Sequence, residues 1–235
     1  MILHCVQDDN QKNHMLSIVA TPIGNLKDIT QRALETLREA DLVLCEDTRN
    51  TKKLLDAYEI KTPTMSYHQH SGGGKVRDII NLLKEGKHLA LVTDAGTPGI
   101  SDPGNALVAQ IIKETNKQIE ISPIPGASAI AAALSISGFP TDKFMFMGFP
   151  PHKNKRNKYF QEVADCEYTI AFYESNHRIK KTLSELAAVL DPKREVCVCR
   201  ELTKQFETIY RGTISEIIVM EVMEKGEFVV IINTL

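Results

Sequence analysis

The chain has 235 residues, 43% hydrophobic and 25% charged, with a formal net charge of −2. That length suits one large domain or two modest ones with a real core, and it excludes a minimal disulfide-stapled module. The near-neutral balance does not announce an anionic partner, so any surface that binds nucleic acid must be local.

Residues 1–15 lack a basic segment followed by an apolar core and read as an N-terminal arm rather than a signal peptide. Leu16–Ala20 (LSIVA) is a predicted buried strand, closed by the turn Thr21–Asn25. Ile29, Ala33, Leu34 and Leu37 fall on one helical face, Leu42–Cys45 is a second strand, and Thr51–Tyr58 is a short helix. Ser71–Gly74 reads as a flexible loop before a helix over Val76–Leu83 and a strand over Leu89–Thr93. Beyond the loop Asp94–Asp102, a helix is expected from Pro103, with Asp102 as its N-cap. A strand at Ile119–Ser122 and an alanine-rich helix at Ser128–Ile136 complete this series. The alternation of strand and helix predicts an α/β fold with a parallel or mixed sheet.

A second series follows Gly138-Phe139-Pro140. Strands are expected at Phe144–Met147, Thr169–Tyr173, Val196–Arg200, Thr208–Arg211 and Phe228–Ile232. Between them lie a basic helix, a helix at Ile179–Leu190, and Ile214–Met223 behind a capping box of Thr213 and Glu216. The reading is therefore two α/β lobes, 16–137 and 138–235, joined near residues 136–143 with a cleft between them. Five cysteines form no CxxC pair, and Cys197 and Cys199 should share one face of a strand as reduced thiols. No metal is expected: His68 and His70 lack a third ligand. No apolar run approaches the ~20 residues that span a bilayer, so a soluble, cytoplasmic protein is expected.

Chemistry concentrates at strand ends. The run Thr93–Gly104 (TDAGTPGISDPG) follows a buried strand, and its glycines permit positive φ and close backbone approach at the edge where open α/β sheets bind ligands. Plain turn chemistry is the alternative. Neither GxxxxGK[ST] nor GxGxxG occurs, which removes support for ATP and nicotinamide. Pro123–Ala129 is a further strand-end turn entering a small-residue helix. Glu46-Asp47-Thr48-Arg49, Tyr173–Arg178 (YESNHR) and Arg200–Lys204 (RELTK) are charged strand-end clusters, any of which would ordinarily be solvated or paired. Lys153, Lys155, Arg156 and Lys158, beside His152, Tyr159 and Phe160, form the dense basic run, suited to phosphates or simply to solvent.

Taken in order, VATPIGNLKDIT (19–30), EDTR (46–49), TDAGTPGISDPG (93–104), PIPGASA (123–129), YESNHR (173–178), RELTK (200–204) and GEFVVII (226–232) resemble the rRNA-modifying branch of the tetrapyrrole methylase superfamily. The resemblance covers roughly residues 16–232. It implies two α/β lobes, a homodimer, and S-adenosylmethionine as methyl donor. The implied reaction is 2′-O-methylation of a cytidine in the decoding region of 16S rRNA, within the small ribosomal subunit. By motif position, it implies donor contacts at Pro22, Asp94, Ala95, Gly96, Thr97, Ile100, Ser128, Ala129, Tyr173, Glu174 and Leu202. Glu46, Asp47, Glu174 and Glu201 are candidate bases by charge and place, and Arg49, Arg178 and Arg200 join the basic run as candidate RNA contacts. Asn176 stands where such proteins commonly have proline. Many also continue past GEFVVII into a small helical domain, whereas this sequence ends at Leu235. Methylation of a small tetrapyrrole, or a non-catalytic RNA-binding role, are the rival readings.

Overall fold

A computed structural model describes residues 14–68 and 72–234. Its contacts divide the chain into two compact units, Met1–Pro22 with Leu26–Gly126, and Ile23–Asn25 with Ala127–Leu235.

The first unit alternates strand and helix: β1 (Met15–Val19), α1 (Gln31–Glu39), β2 (Leu42–Cys45), α2 (Thr48–Ala57), β3 (Thr64–Ser66), α3 (Gly73–Lys84), β4 (His88–Leu91), α4 (Gly104–Glu114) and β5 (Glu120–Ile124). The strands form a five-stranded parallel sheet in the order β3-β2-β4-β1-β5. A parallel sheet is covered on both faces, and the two-residue period of each strand divides its side chains between them. Leu16, Leu44, Leu89 and Leu91 pack with Val76, Ile79 and Leu83 of α3 and Leu107 and Ile111 of α4. Val19, Val43, Cys45 and Ala90 pack on the other face with Ala33 and Leu37 of α1 and Leu55 of α2. Thr30 starts α1 by accepting a 3.1 Å hydrogen bond from the Ala33 amide.

The second unit contains α5 (Ala129–Ser137), β6 (Phe144–Phe146), α6 (Arg156–Asp165), β7 (Thr169–Ser175), α7 (Ile179–Ala187), β8 (Glu195–Arg200), β9 (Thr208–Thr213), α8 (Ile214–Val219) and β10 (Glu227–Ile232). Its five-stranded sheet runs β6-β7-β10-β8-β9, with β6 and β7 parallel and the other pairings antiparallel. Central β10 is buried from Phe228 to Ile232. Phe228, Val230 and Ile232 meet Phe160, Leu183, Leu186 and Ile217 of α6, α7 and α8. Val229 and Ile231 meet Ile130, Ala133 and Leu134 of α5. The capping box forms as read: the Glu216 amide donates to Thr213 Oγ1, and Glu216 Oε2 accepts from the Thr213 amide at 2.8 Å. Cys197 and Cys199 are buried free thiols with their sulfurs 3.7 Å apart.

Three expectations need correction, and one strand was not foreseen. The boundary falls at Gly126–Ala127 rather than within 136–143, because α5 packs its apolar face on the second sheet. Gly73 and Gly74 begin α3 rather than a loop; Ser71 and His70 lie outside the described residues, as do residues 1–13 of the expected arm. The edge strand β3 is too short at three residues to show a period. Helix α4 begins at Gly104, one residue later than expected, although Asp102 still accepts from the Gly104 amide.

Candidate functional site

In the first unit the chain leaves β1 towards β2 and leaves β4 in the opposite direction towards β5, while β1 and β4 are neighbours. Such a reversal is where ligands bind in open α/β sheets. The two loops that part there are stapled together. The Thr21 amide donates to the Gly96 carbonyl at 2.9 Å, the Gly96 amide returns a 3.0 Å bond to the Thr21 carbonyl, and Thr21 Oγ1 donates to the Thr93 carbonyl at 3.1 Å. Gly96 makes this pairing at φ 85, in the left-handed region that favours glycine.

Asp102 closes the other end of the loop. Its carboxylate accepts from the Gly99 amide at 2.8 Å and from the Gly104 amide at 2.7 Å. A Cβ on Gly104 would lie 2.9 Å from Asp102 Oδ1 and 3.0 Å from the Gly99 nitrogen, so only glycine fits. Between these fixed ends, Asp94, Ala95 and Ile100 are exposed and Pro22 and Thr97 half-buried. The presented surface combines a carboxylate, backbone groups and an apolar side chain, with Ile100 44% exposed. A small ligand with a polar or cationic end and a flat apolar part suits that donor set.

Glu46, at the end of β2, accepts from Thr93 Oγ1 at 3.2 Å. Burial pushes its carboxyl above the usual carboxylate range, against the Thr93 hydrogen bond and aided by the charges of Asp102 and Asp94. Asp47 differs. It caps α2 through the Arg49 amide at 2.8 Å and pairs with the Arg49 guanidinium at 2.7 Å. Those two hydrogen bonds lower its carboxyl to about 2, so it is a poor base. Arg49 itself stays 86% exposed, and Lys52 and Lys53 stand exposed one turn further along α2. These two lysines were not singled out as candidates from the sequence, although their spacing from Arg49 puts them on one helical face.

In the second unit, Ile23–Asn25 of the first turn pack against the loop after β8. A Cβ on Gly24 would collide with the Lys204 side chain and lie 3.0 Å from the Leu202 carbonyl. The Asn25 amide donates to Thr203 Oγ1 at 3.1 Å, and Leu202 is buried in one cluster with Ile23. Ser128 holds the N-cap position of α5 with an extended backbone, and its carbonyl accepts from the Ala132 amide at 3.0 Å. Ser128 and Ala129 are half-buried, as is Tyr173. The Tyr173 ring centroid lies 5.0 Å from that of Phe146 and 5.4 Å from that of Phe149.

Several charged candidates turn out to be interior. The Glu174 side chain has no exposure. One of its oxygens meets Arg178 Nε at 2.9 Å and the Ser175 amide at 2.7 Å, and the other accepts from Thr182 Oγ1 at 2.5 Å. With both oxygens occupied and no solvent access, its side chain is not placed to act as a base or to touch a ligand. Arg156 is 4% exposed, not a phosphate contact on a helix face; its Nε pairs with Glu185 at 2.7 Å and Nη1 donates to the Pro151 carbonyl at 3.0 Å. Arg178 spends Nη1 on the Pro150 carbonyl at 3.0 Å. Arg200, 5% exposed, donates to the carbonyls of Lys225 at 2.6 Å and Phe206 at 2.7 Å. A guanidinium is inside here because its five donors satisfy loop carbonyls that the sheet leaves unpaired. Glu201 pairs with Lys204 at 2.9 Å and accepts from the Glu227 amide at 2.9 Å. Burial opposes its ionisation, but these two bonds prevail and lower its carboxyl. Lys153, Lys155 and Lys158 do stand exposed.

The class follows from comparison of this fold with known proteins. The family model for Tetrapyrrole (Corrin/Porphyrin) Methylases matches residues 15–218. The methyltransferase CobJ superposes with a TM-score of 0.67 at 16% identity, covering 94% of each chain. A cobalt precorrin-4 methyltransferase of cobalamin biosynthesis gives 0.65 at 19% identity over 94% of this chain and 95% of its own. At that identity the likeness shows the fold. Closer relatives specify the branch. A Synechocystis protein named Ribosomal RNA small subunit methyltransferase I is 49% identical over 93% of this chain and 78% of its own. Proteins of the same name from Halalkalibacterium halodurans and Thermotoga maritima are 48% and 45% identical, over 93% and 86% of this chain and 75% and 90% of theirs. The chain belongs to the ribosomal RNA small subunit methyltransferase I family of tetrapyrrole-methylase-type enzymes.

Proposed function

We propose that the protein methylates the ribose 2′-oxygen of a cytidine in the decoding region of 16S rRNA, using S-adenosylmethionine. The observation that carries this reading is identity of 45–49% to relatives named for small-subunit rRNA methylation, in a chain whose loops are shaped for a small amphipathic ligand. In the first unit Pro22, Asp94, Ala95, Gly96, Thr97 and Ile100 would hold the donor: the carboxylate suits its cationic or hydroxyl groups, and Ile100 its apolar face. Ser128, Ala129, Tyr173 and Leu202 of the second unit are the further contacts that the family resemblance supplies; the sealed Glu174 side chain is not among them.

The donor supplies a sulfonium-bound methyl group that needs no further activation. The protein's own task is to position the hydroxyl, which can be worth about 7–11 kcal/mol, and to take its proton, worth ~10²–10⁴-fold. Of the four candidate carboxylates, Glu46 is best suited to the proton. It alone combines a raised affinity for one with a place beside the ligand loop, since Thr93 joins it to the strand end. The resemblance further implies a homodimer acting on small ribosomal subunits in the cytoplasm. Among the described residues no helix is long and apolar enough to cross a membrane.

A labelled-methyl assay on small ribosomal subunits, read out as nuclease-resistant dinucleotide, should show incorporation at a single cytidine. Methyl transfer to a tetrapyrrole alone would refute the RNA reading. Calorimetry should show Asp94→Ala and Gly96→Val weakening donor binding, the latter because a β-branched residue at positive φ is strained by ~1–3 kcal/mol and the loop shifts to relieve it. Unchanged affinity in both would remove the site assignment.

A further inference from the structure

The segment between β6 and α6 presents an aromatic ring to solvent on an unusually well-anchored loop. Gly148, at φ 63, turns the chain after its carbonyl accepts the Tyr173 amide at 2.8 Å. Phe149 follows and is 50% exposed. Next come Pro150 and Pro151, whose rings fix φ and bias Phe149 towards an extended backbone. The carbonyls of those prolines are the ones held by Arg178 and Arg156 at 3.0 Å each, and both guanidiniums are bound to buried Glu174. Burying Glu174 and Arg156, with Arg178 half-buried beside them, is expensive unless their geometry is fully satisfied. Here what they fix is the path of two loop residues directly after an exposed phenylalanine.

The ring is half exposed and packs on an aromatic neighbour. Its centroid lies 5.4 Å from that of Tyr173, tilted by 54°, and Tyr173 in turn abuts Phe146 edge-on. Beyond the prolines stand the exposed His152, Lys153 and Lys155, with Lys158 on the first turn of α6. A fixed aromatic face followed within a few residues by exposed lysines matches how single-stranded RNA is held, bases stacking on rings while cations track the phosphates.

We propose that Phe149 is a stacking platform for a nucleobase of the RNA substrate, with Lys153 and Lys155 contacting the adjoining phosphates. The proposal rests on the RNA reading given above and sharpens it, since single-stranded RNA is recognised through splayed bases that stack on aromatic side chains. Phe149 is not among the residues assigned to the donor, although it packs on one of them, Tyr173.

The test is steady-state methylation of small ribosomal subunits by the full chain, with donor affinity measured in parallel by calorimetry. Phe149→Ala should lower kcat/KM about tenfold or more, the loss expected from one base stack of ~1–3 kcal/mol, with donor affinity and melting temperature unchanged. Phe149→Leu, apolar but without a π face, should stay impaired, and Phe149→Trp should restore activity. Full activity of Phe149→Ala or Phe149→Leu, or a parallel loss of donor affinity, overturns the stacking role. Failure of the wild-type protein to methylate rRNA would instead defeat the underlying reading, so the two failures are distinct.

Discussion

The two sheets finish their strand ends by opposite means. In the parallel sheet the loops close with short side chains and backbone: Thr21 pairs with Gly96, and Asp102 gathers the amides of Gly99 and Gly104. In the mixed sheet the connections over 147–155, 201–207 and 220–226 leave carbonyls that no neighbouring strand satisfies. Long side chains do it instead, Arg156 and Arg178 for Pro151 and Pro150, and Arg200 for Phe206 and Lys225. The same kind of motif, a charged cluster at a strand end, is therefore available to a ligand in one unit and consumed by the fold in the other. Asp94 is exposed whereas Glu174 is sealed.

The contrast can be broken most directly at Glu174. Glu174→Ala takes the carboxylate partner from half-buried Arg178 and leaves buried Arg156 with Glu185 alone; removing one partner of a buried pair costs about 3–5 kcal/mol, and the urea midpoint should fall accordingly. A loss below ~1 kcal/mol would mean the cluster is not the closure it is taken to be. In the parallel sheet the matching perturbation is Gly104→Ala, which overpacks Asp102 and the Gly99 amide and should cost ~1–3 kcal/mol. Donor affinity should fall with it, because the loop holding Ile100 would shift; an unchanged melting curve would show that the loop tolerates a methyl group there.

The smallest and most discriminating effect is in pH dependence. Glu46 has a raised carboxyl pKa, so its ionisation opposes folding. That penalty is absent below the unfolded value of about 4.3 and grows as pH rises through the folded value. Glu201 has a lowered one, so its contribution is present above about 4.3 and lost as pH falls through the folded value. Glu46→Gln should therefore be slightly more stable than the parent at pH 7, and Glu201→Gln less stable. Both differences should vanish in acid. Melting temperatures across the pH range check the pair, and shifts of the same sign would contradict the opposite environments.

Much of this architecture was legible before any coordinates. Leu16–Ala20 and Phe228–Ile232 are continuous apolar runs of strand length, and Ile179, Leu183 and Leu186 repeat at helical spacing, so local period alone identifies their elements. The Thr213–Glu216 box and the shared face of Cys197 and Cys199 are likewise relations within a few residues. What eluded the reading was short or non-local. β3 offers three residues and no period, and the helix at Gly73–Lys84 starts on glycines that locally favour a turn. Lys52 and Lys53 share the Arg49 face of α2, but no local pattern sets them apart from other surface lysines.

Of the candidate site, the sequence by itself determined the residue types and their placement at strand ends, because glycine, proline and charge next to an apolar run are local statements. Only tertiary structure decided which of them face outward. Whether Thr21 meets Gly96, 75 residues away, or whether Arg156 turns inward to Glu185, depends on which carbonyls and carboxylates long-range packing leaves without partners. No spacing along the chain encodes that, since a buried polar group is tolerated only where distant segments complete its hydrogen bonds.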